Sequence, residues 1–377
     1  MRVIMIKIKL FLLAVLLSTI FPNVYSQTLP DKASVLKKMV LANGYFMKKY
    51  PDPSQQIVTN KTRPSNIWTR SVYYEGLLGL YGIDPQQDYL NYTLEWCRSH
   101  NWEPAYEIKT KDADNQCCGQ TYIAMYLMNR KPDRIKNIKE CIDSVIASGR
   151  IDYWWWIDAM QMAMPVYAEL GMIYNDNSYL KSMYEMFSYT KRRYFNTREH
   201  LWWRDGTFLP PYKEPNGRNC YWSRGNGWVV AALVRVMNVL PDSAVGYGDY
   251  KATYLKMMKA ILPLQRSDGF WNVSLHDSSY FGGKETSGTS LFLYGMAWGV
   301  QKGWLDKSTY MPAIVKAWNG LANEALHPDG ALGYVQGTGK EPSAGQPVGY
   351  NRMPDFLDYG LGCFLLAGSE VYKLAPR

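Results

Sequence analysis

"SRGNGWVVAALVRVMNVLPDSAVGYGDYKATYLKMMKAI", residues 223–261, joins two helices of opposite character through a turn at Pro241-Asp242-Ser243. The first opens on small, mostly uncharged residues and suits a site where helix backbones crowd. The second carries charge along an amphipathic pattern and suits a face turned to water. The same contrast recurs along the chain. "CGQTYIAMYL" and "ETSGTSLFLYGMAWG" are of the first kind, and "RIKNIKECIDSVI" is of the second. Helical periodicity predicts twelve segments, at 31–50, 71–82, 88–99, 118–129, 134–147, 157–172, 178–194, 223–239, 248–265, 286–301, 308–325 and 355–373. Turn chemistry such as Gly82-Ile83-Asp84-Pro85 and Asn175-Asp176-Asn177 separates them, and strand-like alternation is scarce. Six helix hairpins, crowded helices inside and charged ones outside, make an all-α (α/α)6 barrel. The competing architecture is an open helical solenoid, which unequal hairpins and long aromatic, Gly-rich loops disfavour.

The rest of the chain bounds what such a barrel does. Residues 1–26 carry Arg2, Lys7 and Lys9 ahead of an apolar run from Leu10 to Phe21, then Val24-Tyr25-Ser26. That is the layout of a secretory signal peptide, and the run is too short for a comfortable membrane span. A single catalytic domain over 27–377, exported to the periplasm or beyond, is the expectation. Three basic residues leave with the signal, so 42 Lys and Arg against 33 Asp and Glu become a net charge of +6. No basic run concentrates it, and nucleic-acid binding is not suggested. The six cysteines lack metal-type spacing and read as buried thiols rather than a disulfide scaffold. The four histidines are scattered, so a His-based metal site is not expected. Fourteen tryptophans and thirty tyrosines are numerous enough to stack on sugar rings as well as to fill a core.

Charged residues gather where the crowded helices begin. Asp158 follows Trp154-Trp155-Trp156 at the start of 157–172. Apolar neighbours would raise its pKa toward that of a working acid, although an Asp capping its own helix needs no chemistry. Arg224 lies between Trp222 and Trp228, either to meet a sugar carboxylate or to satisfy loop carbonyls. Asp112 and Asp114 precede the helix at 118, as a second carboxylate or as caps. Arg204-Asp205 adds a charge pair beside Trp202 and Trp203, and Glu285-Thr286 opens another helix as a cap.

"WWWIDAMQMAMPVYAELG", "WSRGNGWVVAAL", "ETSGTSLFLYGMAWGVQKGWL" and "DYGLGCFLLAGSEVYKL", in that order, resemble glycoside hydrolase family 105, the unsaturated rhamnogalacturonyl hydrolases, a family related to family 88. The resemblance runs from about residue 30 to the C-terminus. It implies an (α/α)6 barrel acting on oligosaccharides left by polysaccharide lyases, whose non-reducing end is a 4,5-unsaturated uronic acid. A carboxylic acid protonates C4, water adds at C5, and the hemiketal opens to expel the saccharide. By motif position Asp158 is the implied proton donor and then base, and Asp114 the second essential aspartate. Arg224, Trp228, Trp222, Trp156 and Met162 are implied around the sugar, and neither a cofactor nor a metal is implied. Where many members carry a His, in a "YYHAWD"-like segment, this chain has Arg204 in "LWWRDGTF", which changes the contacts open to the sugar beyond the cleaved bond.

Two other classes fit parts of the pattern. A conventional glycosidase would use Asp114 and Asp158 to flank an anomeric carbon. A non-catalytic glycan-binding protein would keep the tryptophans and have no use for a buried Asp158. Oligomeric state is not legible from the residues.

Overall fold

The computed structural model describes residues 28–377; the signal-peptide reading falls outside them. Among the described residues, twelve long helices alternate between an outer and an inner position. The inner ones are α2 (Trp68–Tyr81), α5 (Cys118–Met128), α7 (Asp158–Tyr174), α9 (Ser223–Val239), α11 (Thr286–Gln301) and α13 (Asp358–Leu374). The outer ones are α1 (Lys32–Lys49), α3 (Gln87–Ser99), α6 (Asp133–Ile146), α8 (Asn177–Tyr194), α10 (Tyr247–Ile261) and α12 (Lys307–Gly320). A one-turn helix α4 (Ala113–Gln116) precedes α5, and a short hairpin pairs β1 (Ile57–Val58) with β2 (Thr62–Arg63).

Each inner helix packs on the next, and α13 packs back on α2, so the ring closes. That closure distinguishes an (α/α)6 barrel from a solenoid, whose ends never meet. The small residues of the inner helices explain how it closes. A Cβ on Gly76 would stand 2.5 Å from the Gly362 carbonyl oxygen, so α2 and α13 meet through bare backbone. A Cβ on Gly227 would press within 2.8 Å of Leu291, which brings α9 equally close to α11. From Thr286 to Val300 every residue of α11 is buried. Outer helices bury one stripe, as α6 does with Ile135, Ile138, Cys141, Ile142 and Val145.

The buried charges inside the ring meet partners. Arg70 of α2 meets Asp358 of α13 at 3.2 Å, both buried, across the closing seam. Deeper, Glu75 accepts a hydrogen bond from Gln161 at 2.7 Å and faces Arg235 at 3.7 Å, tying α2, α7 and α9 together. All six cysteines are buried and unpaired. No helix among the described residues is long and apolar enough to cross a membrane.

Candidate active site

The inner helices all begin at one end of the barrel, and a cavity of about 240 Å³ lies there. Trp68 and Thr69 from the start of α2, Asp114 from α4, Trp156, Asp158 and Met162 around the start of α7, and Arg204 line it. The hairpin adds Arg63, and the long connection before α13 adds Thr338, Gly339 and Phe356. Four expected residues therefore share one cavity with Asp158: Asp114, Trp156, Met162 and Arg204.

Asp158 is the first residue of α7 and is 7 % exposed. Its surroundings differ from the expected box of indoles. Trp154 turns into the core, edge-on to Tyr167 at 5.6 Å, while its carbonyl accepts from Thr190. Trp155 is 55 % exposed. Trp156 alone of the three lines the cavity, its ring 4.7 Å from that of Trp155. What stands against Asp158 is a cation: Arg204 Nε lies 3.1 Å from Asp158 Oδ2. Of the three indoles one is in the core, one faces solvent and one lines the cavity.

Local pairing sets Arg204 in place. Trp156 bridges Asp205 in antiparallel fashion, and the Ile157 amide donates to the Arg204 carbonyl at 3.0 Å. Arg204 Nη1 reaches Asp205 Oδ2 at 2.8 Å, and Asp205 in turn accepts from the Thr207 amide. One guanidinium thus bridges two carboxylates.

Asp114 lines the same cavity as this pair. Asp112 is exposed and caps the turn, its Oδ1 accepting from the Asp114 amide at 2.9 Å, so the structure selects Asp114 over Asp112 as the cavity carboxyl. No hydrogen bond or ion pair reaches the Asp114 carboxyl among the described residues. Burial, with the charges of Asp112 and Asp158 adding to it, pushes that carboxyl up to about 8, against the pull of Arg204.

Three expected substrate contacts sit elsewhere. Arg224 is fully buried, its Nη1 donating to the Gln336 carbonyl and its Nη2 to that of Gly337, each at 2.8 Å. The guanidinium lies between the rings of Trp222 and Tyr359, at 4.6 and 5.0 Å. Trp222 Nε1 donates to the Gln336 side chain at 2.8 Å. Trp228 is buried edge-on behind Trp68, at 6.1 Å. These residues build the wall rather than its surface. Glu285 caps α11 through the Ser287 and Gly288 amides, and its Oε1 also accepts from the Gln336 amide. Gln336 itself donates to the carbonyls of Glu341 and Ala344. Arg224, Glu285 and Trp222 therefore clamp the loop whose next residues, Thr338 and Gly339, face the cavity.

Arg63, Trp68, Thr69, Thr338 and Phe356 escaped the reading of the sequence. Trp68 carried a usable signal, an indole at an inner-helix start, but the periodic segment was begun at residue 71. Arg63 had none, standing before a proline in a polar stretch. Its guanidinium lies 5.3 Å over the Phe356 ring and is held by Thr59 Oγ1 at 2.6 Å. Unlike Arg204, it makes no ion pair among the described residues.

The sequence model of Glycosyl Hydrolase Family 88 matches residues 38–375. An unsaturated 3S-rhamnoglycuronyl hydrolase of Formosa agariphila is 31 % identical over 81 % of this chain and 84 % of its own. A solved family 88 glycosyl hydrolase from Bacteroides vulgatus superposes with a TM-score of 0.84 at 29 % identity, covering 91 % of this chain and 99 % of that one. A second solved chain, described as a polysaccharide lyase, gives a TM-score of 0.83 at 30 % identity over 91 % and 98 % of the two chains. With its fold, ring closure and nearly full-length match, the chain belongs to glycosyl hydrolase family 88 and is a glycoside hydrolase.

Proposed function

We propose that the chain is an exported hydrolase that removes a 4,5-unsaturated uronic acid from the non-reducing end of lyase-generated oligosaccharides by hydrating its double bond. The observation that carries the reading is the pair of cavity carboxyls in unlike settings. Asp158 is ion-paired to Arg204, and Asp114 is half-buried without an ion-pair partner among the described residues. Acid–base addition of water needs one group that gives a proton and one that takes it. Trp156 and Trp68 offer aromatic walls to the ring, and Arg63, on the facing hairpin, offers a cation to the sugar carboxylate. The curated relative named as an unsaturated rhamnoglycuronyl hydrolase supports the substrate class. Unsaturated galacturonyl ends, expected from the sequence, head the substrate panel, with glucuronyl ends beside them.

The vinyl-ether chromophore of the unsaturated ring gives the test. Wild-type protein should extinguish the ultraviolet absorbance of one or more unsaturated disaccharides, and Asp158→Asn should lower that rate by about 10²- to 10⁴-fold, the usual weight of an acid–base group. Absorbance retained by the whole panel refutes the proposal. Absorbance created from a saturated polymer would make the chain a lyase.

A further inference from the structure

A second cavity, of about 330 Å³, opens at the other end of the barrel. Glu75 of α2, Thr121 of α5, Arg235 of α9, Tyr294 of α11 and Glu370 of α13 line it. Its mouth is marked by the exposed Gly82 and Lys373, at the ends of α2 and α13. The active-site cavity lies at the helix starts, and the two have no lining residue in common. We infer that this second cavity is a binding site for a neutral polyhydroxylated molecule the size of one sugar unit. The inference does not depend on the hydration reading.

Charge decides the class of ligand. The ionised groups of the lining cancel in pairs. Arg235 faces Glu75 at 3.7 Å, and Lys373 meets Glu370 at 2.6 Å. Glu169, the other carboxyl near Arg235, is pushed up to about 7 by burial and adds no charge below that pH. An anion entering here meets two carboxylates, and a cation meets two basic groups.

Hydrogen-bonding capacity remains once the pairs are made. Arg235 donates from Nε to Gln120 Oε1 at 2.8 Å and lies beside the Tyr294 hydroxyl. A guanidinium carries five N–H donors, so donors are left over. Glu370 accepts from Lys373 and Gln301, and Glu75 from Gln161 and Cys117, and a carboxylate has about four acceptor sites. Thr121 is only 1 % exposed, and its hydroxyl has no hydrogen-bond partner. A buried hydroxyl without a partner is costly and calls for a group that both donates and accepts. Alcohol hydroxyls do both, and neighbouring hydroxyls on a ring match a guanidinium set beside a carboxylate. Leu78, Ile83 and Leu366 supply apolar surface for the C–H faces of such a ring. The volume of about 330 Å³ stands at the small end of the roughly 300–1,000 Å³ of small-molecule sites, which suits a single ring.

The test is isothermal titration calorimetry near pH 6 with rhamnose, xylose, glucose and inositol as probes, and with glucuronate and glucosamine as charged counterparts. At least one neutral probe should bind wild-type protein with a Kd of about 1 mM or tighter. Ala124→Phe places a ring in the cavity and should abolish that binding. Thr121→Val removes only the unpartnered hydroxyl and should weaken it about 3- to 10-fold, the weight of one hydrogen bond. Trp68→Ala, at the active-site cavity, should leave it unchanged. Silence from every neutral probe means a cavity filled by water alone and overturns the inference. So does preference for a charged probe over glucose, binding lost in Trp68→Ala, or binding kept at full strength in Ala124→Phe. If Ala124→Phe falls short of the wild-type urea midpoint, Thr121→Val decides alone, and unweakened binding overturns the inference.

Discussion

Replacing Arg224 by methionine separates a clamp from a substrate contact. The guanidinium donates two 2.8 Å hydrogen bonds, to the carbonyls of Gln336 and Gly337, with no exposure to solvent. Methionine fills a similar volume and leaves the Gly337 carbonyl without its donor, at about 1–3 kcal/mol, while the Gln336 carbonyl keeps the Tyr359 hydroxyl. Loss of two cation–π contacts adds about 1 kcal/mol, and release of a buried charge offsets a similar amount. The net destabilisation should be about 2 kcal/mol, a substantial part of the roughly 5–15 kcal/mol that holds a typical protein folded. Lysine reaches one carbonyl as a point charge and should lose about half as much. Urea unfolding followed by tryptophan fluorescence would read the shift in midpoint. KM on an unsaturated disaccharide should rise alongside, because the loop that presents Thr338 is released. A wild-type midpoint combined with a strongly raised KM would refute this reasoning, since the guanidinium would then be meeting the sugar.

Three further outcomes follow from other parts of the structure. Arg63→Gln should raise KM about 10- to 100-fold with little change in kcat, the weight of one hydrogen bond to a charged group; unchanged KM would remove Arg63 from substrate recognition. Burial holds Asp114 at about 8 and Glu169 and Glu214 at about 7, all above the values of an unfolded chain. Each binds a proton when folded that the unfolded chain releases, so this stability is complete below about pH 4 and is lost as pH rises through 7–8. The urea midpoint should therefore be higher at pH 5.5 than at pH 8.5, with part of the difference gone in Asp114→Asn; a midpoint that rises with pH contradicts it. The six buried thiols should resist a thiol reagent until the protein is denatured, and reductant should leave the unfolding midpoint unchanged.

The barrel was legible because its two kinds of helix differ in composition for a physical reason. Helices that touch through Gly76 and Gly362 need small residues, and helices that face water need charge. The cavity carboxyls were legible as well, since Asp114 and Asp158 stand at inner-helix starts, which the architecture gathers at one end. The roles of the arginines were not. Arg224 and Arg204 look alike in sequence, each beside tryptophans at the mouth. Only the return of a loop 112 residues later shows Arg224 spending its donors on carbonyls, whereas Arg204 spends its own on Asp158 and Asp205. The tryptophan run misled for a similar reason. Only Trp156 reaches the cavity with Asp158, while Trp154 packs in the core and Trp155 faces solvent, a division that adjacency in sequence does not reveal.

Hydration at the double bond is tested most directly by running the reaction in deuterium oxide on an unsaturated disaccharide and reading the early product by NMR. Addition of water across C4=C5 predicts loss of the vinyl signal and a single deuteron at C4, on one face of the ring. Free saccharide released together with a uronic acid that keeps its C4=C5 bond, the new hydroxyl at C1, would place the chemistry at the anomeric carbon and contradict the account.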